Sequence, residues 1–160
     1  MPKGKSNKKK TISQEAQTKK DIINTCRNTE DIDEILEYTY SEDDDIRLEA
    51  CKQLCPCKVL RDIEVFWNRV FEMVEDPDVR IRKRILHIIC DGSPERVVDQ
   101  VYEALGKFNY DKDSDIRRTA HKVMVTYERT GKWNILWMAL IDLYGILYST
   151  NFYQIKHFSI

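Results

Sequence analysis

The groups in this 160-residue chain that could carry chemistry are five cysteines, three histidines and a regular series of Asp/Arg pairs. Cys51, Cys55 and Cys57 form a C-x3-C-x-C pattern, and closely spaced thiolates suit a soft metal ion. Common structural zinc sites join two separated ligand pairs, and no second pair stands at such a spacing. The spacing therefore predicts no metal, and nothing else in the chain points to a cofactor. Cys55 and Cys90, 35 residues apart, read as compact apolar residues near the ends of two successive helices. A disulfide between them is disfavoured, because packed helices lie ~8–10 Å apart and a disulfide needs Cα atoms within ~7 Å. His87, in "ILHII", and His121, in "TAHKV", carry no following glutamate, and His157 stands near the end. Five scattered glycines build no phosphate loop, and no Ser or Cys sits in a nucleophile motif. No catalytic residue is assigned, and a non-enzyme is the favoured reading.

The Asp/Arg series is more regular. Asp43, Ile46, Arg47, Ala50 and Leu54 recur as Asp78, Ile81, Arg82, Ile85 and Ile89, and again as Asp113, Ile116, Arg117, Ala120 and Met124. The apolar members fall on one helical stripe. Each Asp sits where an N-cap belongs, and the Arg four residues on shares its face, which predicts a structural ladder of caps and salt bridges. The step is 35 residues, a period that marks stacked repeat architectures.

The upstream half of the unit repeats too. Ile32, Trp67, Tyr102 and Trp137 are one column at this step. Ile35, Val70, Leu105 and Leu140 are a second, and Tyr38, Met73, Phe108 and Leu143 a third. Each unit then reads as helix A, a short turn and helix B. Ser93-Pro94 reads as an N-cap with Pro at the first helical position, Asp91-Gly92 and Thr130-Gly131 as helix ends, Pro56 as a break in the first B helix, and Pro77 as a turn residue. Units span about residues 28–61, 62–96 and 97–131, with a terminal half-repeat at 132–148.

The segments "SEDDDIRLEACKQL" (41–54), "DPDVRIRKRILHII" (76–89) and "DKDSDIRRTAHKVM" (111–124) resemble HEAT repeats of the short PBS-lyase type, with the signature Asp-Pro-Asp-x-x-Val-Arg-x-x-Ala-x-x-x-Leu. Ile85 replaces the usual Ala, and Pro is missing outside the middle copy. "LCPCKV", "LHIICDGSPERVV" and "RTGKWN" are also similar to a group of bacterial HEAT-repeat proteins. The resemblance implies an all-α fold, an α/α superhelix (solenoid) of about three and a half repeats. It also implies that helix B lines a concave binding face. Positions on helix B away from the core stripe, with Arg80 nearby, make a basic stripe there: Lys52, Arg80, Lys83, Arg84, His87, Arg118 and Lys122. HEAT-like hydroxylases use His-Glu pairs, which this chain lacks.

A near-neutral formal charge of −1 hides a split. Residues 1–20 hold seven Lys and one Glu; residues 21–160 carry a net −7. This start reads as a separate arm, disordered to about residue 10 and largely so to 20, ahead of a repeat domain at 21–160. Three uses compete for it: a solubilising tail, a nucleic-acid or nuclear-address arm through Lys3, Lys5, Lys8, Lys9 and Lys10, or a clamp on the acidic stretch 30–45. The start lacks the apolar core of a secretory signal, and free cysteines suit a reducing compartment, which predicts a cytoplasmic protein with a nuclear location as the alternative. The apolar run 135–148 is short for a bilayer span, contains Asp142, and keeps the register of helix A. With Trp133, Met138 and Tyr144 it reads as a self-association or partner surface, giving a homodimer as one option. The leading functional expectation is a protein-binding scaffold that takes an acidic partner on the basic stripe. The alternative is a nucleic-acid binder using the Lys-rich arm with the same stripe.

Overall fold

A computed structural model describes the backbone of residues 5–131 and the side chains of 16–131. The half-repeat at 132–148, the aromatic helix expected to dimerise and the side chains of Lys3, Lys5, Lys8, Lys9 and Lys10 lie outside the described residues.

All regular structure among the described residues is helical. A long first helix α1 (Lys5–Asn28) is followed by three pairs. The first is α2 (Ile32–Tyr38) and α3 (Asp44–Gln53), with a short α4 (Pro56–Val59) after it. The second is α5 (Glu64–Glu72), extended by a 3-10 turn, with α6 (Val79–Gly92). The third is α7 (Val98–Phe108) with α8 (Ser114–Thr130). Helices α1, α3, α6 and α8 pack against one another in that order, and α7 lies on α8. Among the described residues no helix is long and apolar enough to cross a membrane.

The repeated Asp starts each B helix as expected. The Asp43 carboxylate accepts the backbone N–H of Asp45 and Ile46, Asp78 that of Arg80, and Asp113 those of Asp115 and Ile116. Such caps stabilise a helix by about 1 kcal/mol each. The columns at 35/70/105, 46/81/116 and 50/85/120 are buried throughout, and all but Ile46 belong to one continuous core that also takes Cys26 of α1. Gly131 closes α8 at φ 65°, a left-handed conformation that favours glycine.

Four expectations need correction. The Lys-rich start is helical from Lys5, not a disordered arm to residue 20. Ile22, Ile23 and buried Cys26 anchor its C-terminal half, and the good helix formers upstream continue the coil. The column 32/67/102 does not keep one environment. Ile32 is half-buried, Trp67 is 2% exposed and Tyr102 is 44% exposed. Where α5 carries Arg69, α7 carries buried Ala104, so the apolar stripe of α7 is rotated round the helix and Tyr102 falls at its edge. Ser93 caps nothing; its hydroxyl is buried without a partner, and Pro94 precedes a 3-10 turn. Finally, the repeated Arg residues do not pair with the Asp four residues before them.

Candidate functional site

Two of the three repeated Arg residues, Arg47 and Arg82, reach forward into the next unit. Arg47 makes a two-pronged contact with Asp76, Nε to Oδ2 at 3.1 Å and Nη2 to Oδ1 at 3.2 Å. Arg82 repeats this with Asp111 at 2.7 and 3.0 Å. The remaining nitrogen, Nη1, donates to two carbonyls of the turn before its own helix: Ser41 and Glu42 for Arg47, Asp76 and Pro77 for Arg82. Arg117 keeps the carbonyl contacts, to Asp111 and Lys112. A planar fork matched to a carboxylate is a contact lysine could not reproduce. The Arg82 guanidinium holds the Asp111 carboxyl below its usual range.

The expected basic stripe is mostly spent on the protein's own acids. Arg80 lies between Asp44, Asp45 and Asp78, with contacts of 3.0, 2.8 and 2.6 Å. Lys83 reaches Asp113 at 3.1 Å and Asp115 at 3.4 Å, and Arg118 also pairs with Asp115. Arg84 donates to the Cys51 and Lys52 carbonyls at the end of α3. Lys52 pairs with Glu49 at 3.3 Å. The face is thus an alternation of charge across α3, α6 and α8, in which Asp45, Arg80 and Asp115 are residues of one register. A shallow hollow of about 220 Å³ lies on it, lined by Lys83, Leu86, His87, Asp115, Ile116 and Thr119. Lys122 is exposed beyond these pairs.

The first helix continues the pattern. Lys19 meets Asp43 at 2.8 Å and Asp45 at 2.7 Å, so one lysine of the start does fold onto the acidic stretch. Arg27 meets buried Glu49 through Nε at 3.0 Å and Nη2 at 3.1 Å. Arg27 first, then Lys52 and Gln53, pull the Glu49 carboxyl from 4.5 down to about 2, against the opposing effect of burial. A carboxyl depressed on folding stabilises above its unfolded pKa, and that stabilisation is lost as pH falls from about 4.5 to about 2. Because Arg27 is half-exposed, solvent screening limits the effect to about 1–2 kcal/mol. Urea denaturation across this window should show the wild type losing that much more stability than Glu49→Gln.

A second cluster, of different chemistry, forms where Pro56 breaks the first B helix. Cys55 precedes Pro56 and points back at α6. Its Sγ lies 2.7 Å from Cys57 Sγ, 3.3 Å from Asp91 Oδ2 and 3.8 Å from His87 Nε2. The ligand atoms of Cys55, Cys57 and Asp91 all lie within 4.8 Å of one another. Burial, then the contact with Cys57, push the Cys55 thiol up to about 12. Burial, then the charge of Arg84, lower the pKa of His87, with Asp91 opposing. The close approach depends on Gly92, where a Cβ would stand 3.0 Å from Pro56 Cβ. Cys51 is not a member; it packs in the core with its sulfur 4.0 Å from Met73 Sδ. The 35-residue register held part of the signal: Cys57 and Gly92 are equivalent positions, and His87 and Asp91 lie one helical turn apart on α6.

Fold and site together define, among the described residues, an all-helical chain of paired, mutually clamped units. No family model, no curated protein and no solved structure matches the chain.

Proposed function

We propose that this chain is a non-catalytic scaffold of HEAT-like repeats, an α/α superhelix that binds a protein partner along the face of α3, α6 and α8. The observation that carries the reading is the ordered packing of α3, α6 and α8 at a 35-residue register, which presents the same positions from successive units side by side. A surface of this kind suits an extended polypeptide better than a small molecule. The partner is acidic in this reading. It engages Lys52 and Lys122, further along α3 and α8 from the Asp-rich N-termini, draws Arg118 from its pairing with Asp115, and seats an apolar side chain in the hollow beside Leu86 and Ile116. A reducing cytoplasm is the compartment that suits five free cysteines.

Titration of the full chain with poly-glutamate, and in parallel with duplex DNA, tests this. The expected result is poly-glutamate binding at low salt that falls at least ~10-fold, about 1.4 kcal/mol, in the triple variant Lys52→Glu, Arg118→Glu, Lys122→Glu. No poly-glutamate binding, or binding indifferent to the reversal, rejects the acidic-partner face. Preferential duplex binding with a steep salt dependence would move the assignment to the nucleic-acid alternative.

A further inference from the structure

We propose that Cys55, Cys57 and Asp91, joined by His87 turning in from its place 3.8 Å from Cys55, form a site for a thiophilic divalent cation, with zinc as the reference ion. Two thiols, an imidazole and a carboxylate are the donor types that tetrahedral zinc takes. They come from two elements, the Cys-Pro-Cys turn that opens α4 and one face of α6, so the ion would bridge the broken end of the first unit to the second. Zinc bonds of ~2.3 Å to sulfur and ~2.0–2.2 Å to nitrogen and oxygen imply tetrahedron edges of ~3.4–3.8 Å. The Cys55–His87 and Cys55–Asp91 separations of 3.8 and 3.3 Å fall on or beside that range.

The two sulfurs, at 2.7 Å, are the exception. As neutral thiols they are pressed inside ordinary non-bonded contact. Opening them by ~1 Å to a zinc-spanning edge requires only rotation of Cys57, which is exposed. Cys55 is buried, so a thiolate there requires a neighbouring cation. Binding replaces the two S–H bonds by two metal–sulfur bonds and releases two protons to solvent. Cys57 marks the entry path and the buried Cys55 side closes the site. The same ion would withdraw His87 from the neighbouring hollow on the α6–α8 face.

Cobalt(II) is the probe, because a tetrahedral thiolate site gives it intense visible d–d bands and a sulfur-to-metal charge-transfer band. Full-length reduced protein titrated with cobalt(II), then with zinc(II), should show a one-to-one tetrahedral spectrum that zinc bleaches. Cys57→Ser, at an exposed position, should lose about half of the charge-transfer intensity, one of the two Co–S bonds, while retaining the helical circular dichroism of the wild type. His87→Gln and Asp91→Asn should each weaken binding by more than the ~10–100-fold typical of outer-shell losses. Absence of the tetrahedral spectrum overturns the proposal. So does a spectrum unchanged in Cys57→Ser, or an affinity unchanged in both α6 variants. A Cys55–Cys57 disulfide found by intact mass at a cytosolic glutathione poise overturns it in favour of a redox pair.

Discussion

Replacing Arg82 with alanine is expected to destabilise the fold by about 3 kcal/mol, because truncating one partner of a buried ion pair leaves the other uncompensated. The Arg82 and Asp111 side chains are only 13% and 7% exposed, so little solvent is at hand to take over either charge. The loss extends beyond the pair. Arg82 Nη1 also holds the Asp76 and Pro77 carbonyls, and Asp76 receives Arg47 from the unit before. One truncation therefore loosens two junctions. Arg117→Ala is the internal control. Its described contacts are two carbonyls at an exposed position, and its loss should cost no more than ~1 kcal/mol. Urea denaturation followed by circular dichroism reads both, and comparable shifts in the two variants would mean the forward pair contributes nothing special.

Trp67→Ala should cost about 3–5 kcal/mol, the range for deleting a fully buried large aromatic side chain. Trp67 packs edge-on against Phe66 with ring centroids 4.8 Å apart and lies 6.2 Å from the Phe71 ring, inside the second unit. Trp67→Phe should behave quite differently, costing under ~1.5 kcal/mol. The indole Nε1 is buried with no hydrogen-bond partner, so the phenyl ring gives up volume but also removes a donor that the fold leaves unsatisfied. Two denaturation midpoints decide this. A Phe variant as unstable as the Ala variant would show that the position depends on indole volume alone.

These positions also show what a sequence can disclose. The N-caps at Asp43, Asp78 and Asp113 depend on a residue and its next three neighbours, and that local geometry is written in the spacing. Burial at 46/81/116 follows in the same way from helical periodicity. The Arg partners were not legible by that route. A four-residue spacing suggests a local pair, whereas the fork turns forward to a carboxylate 29 residues on, where burial makes a two-pronged contact worth more than an exposed one. Position 76, read with 111, carried a usable hint, since its equivalent one period earlier is Ser41 and the Arg position one period before Arg47 is Ile12. Acid and arginine are absent together.

The basic stripe misled for a related reason. Lys83, Arg84 and Arg80 read in the sequence as free positive charge, because their partners sit on other helices, apart from Asp78 at the start of Arg80's own. A charge on one helix has to be weighed against residues about one period away, and Asp45 and Asp115 flank Arg80 in the register at that step. The Cys-His-Asp cluster was likewise split between units. Cys55 reads in the sequence as a core residue, whereas the break at Pro56 turns it toward Asp91 of α6.

The central claim is that consecutive units are joined by the forward reach of the repeated Arg. A double-mutant cycle tests it most directly, with Arg82→Ala combined in turn with Asp111→Ala and with Asp78→Ala. The predicted result is a coupling of about 1.5 kcal/mol or more between Arg82 and Asp111, and less than about 0.5 kcal/mol between Arg82 and Asp78. A larger coupling to Asp78, or none to Asp111, would contradict the account.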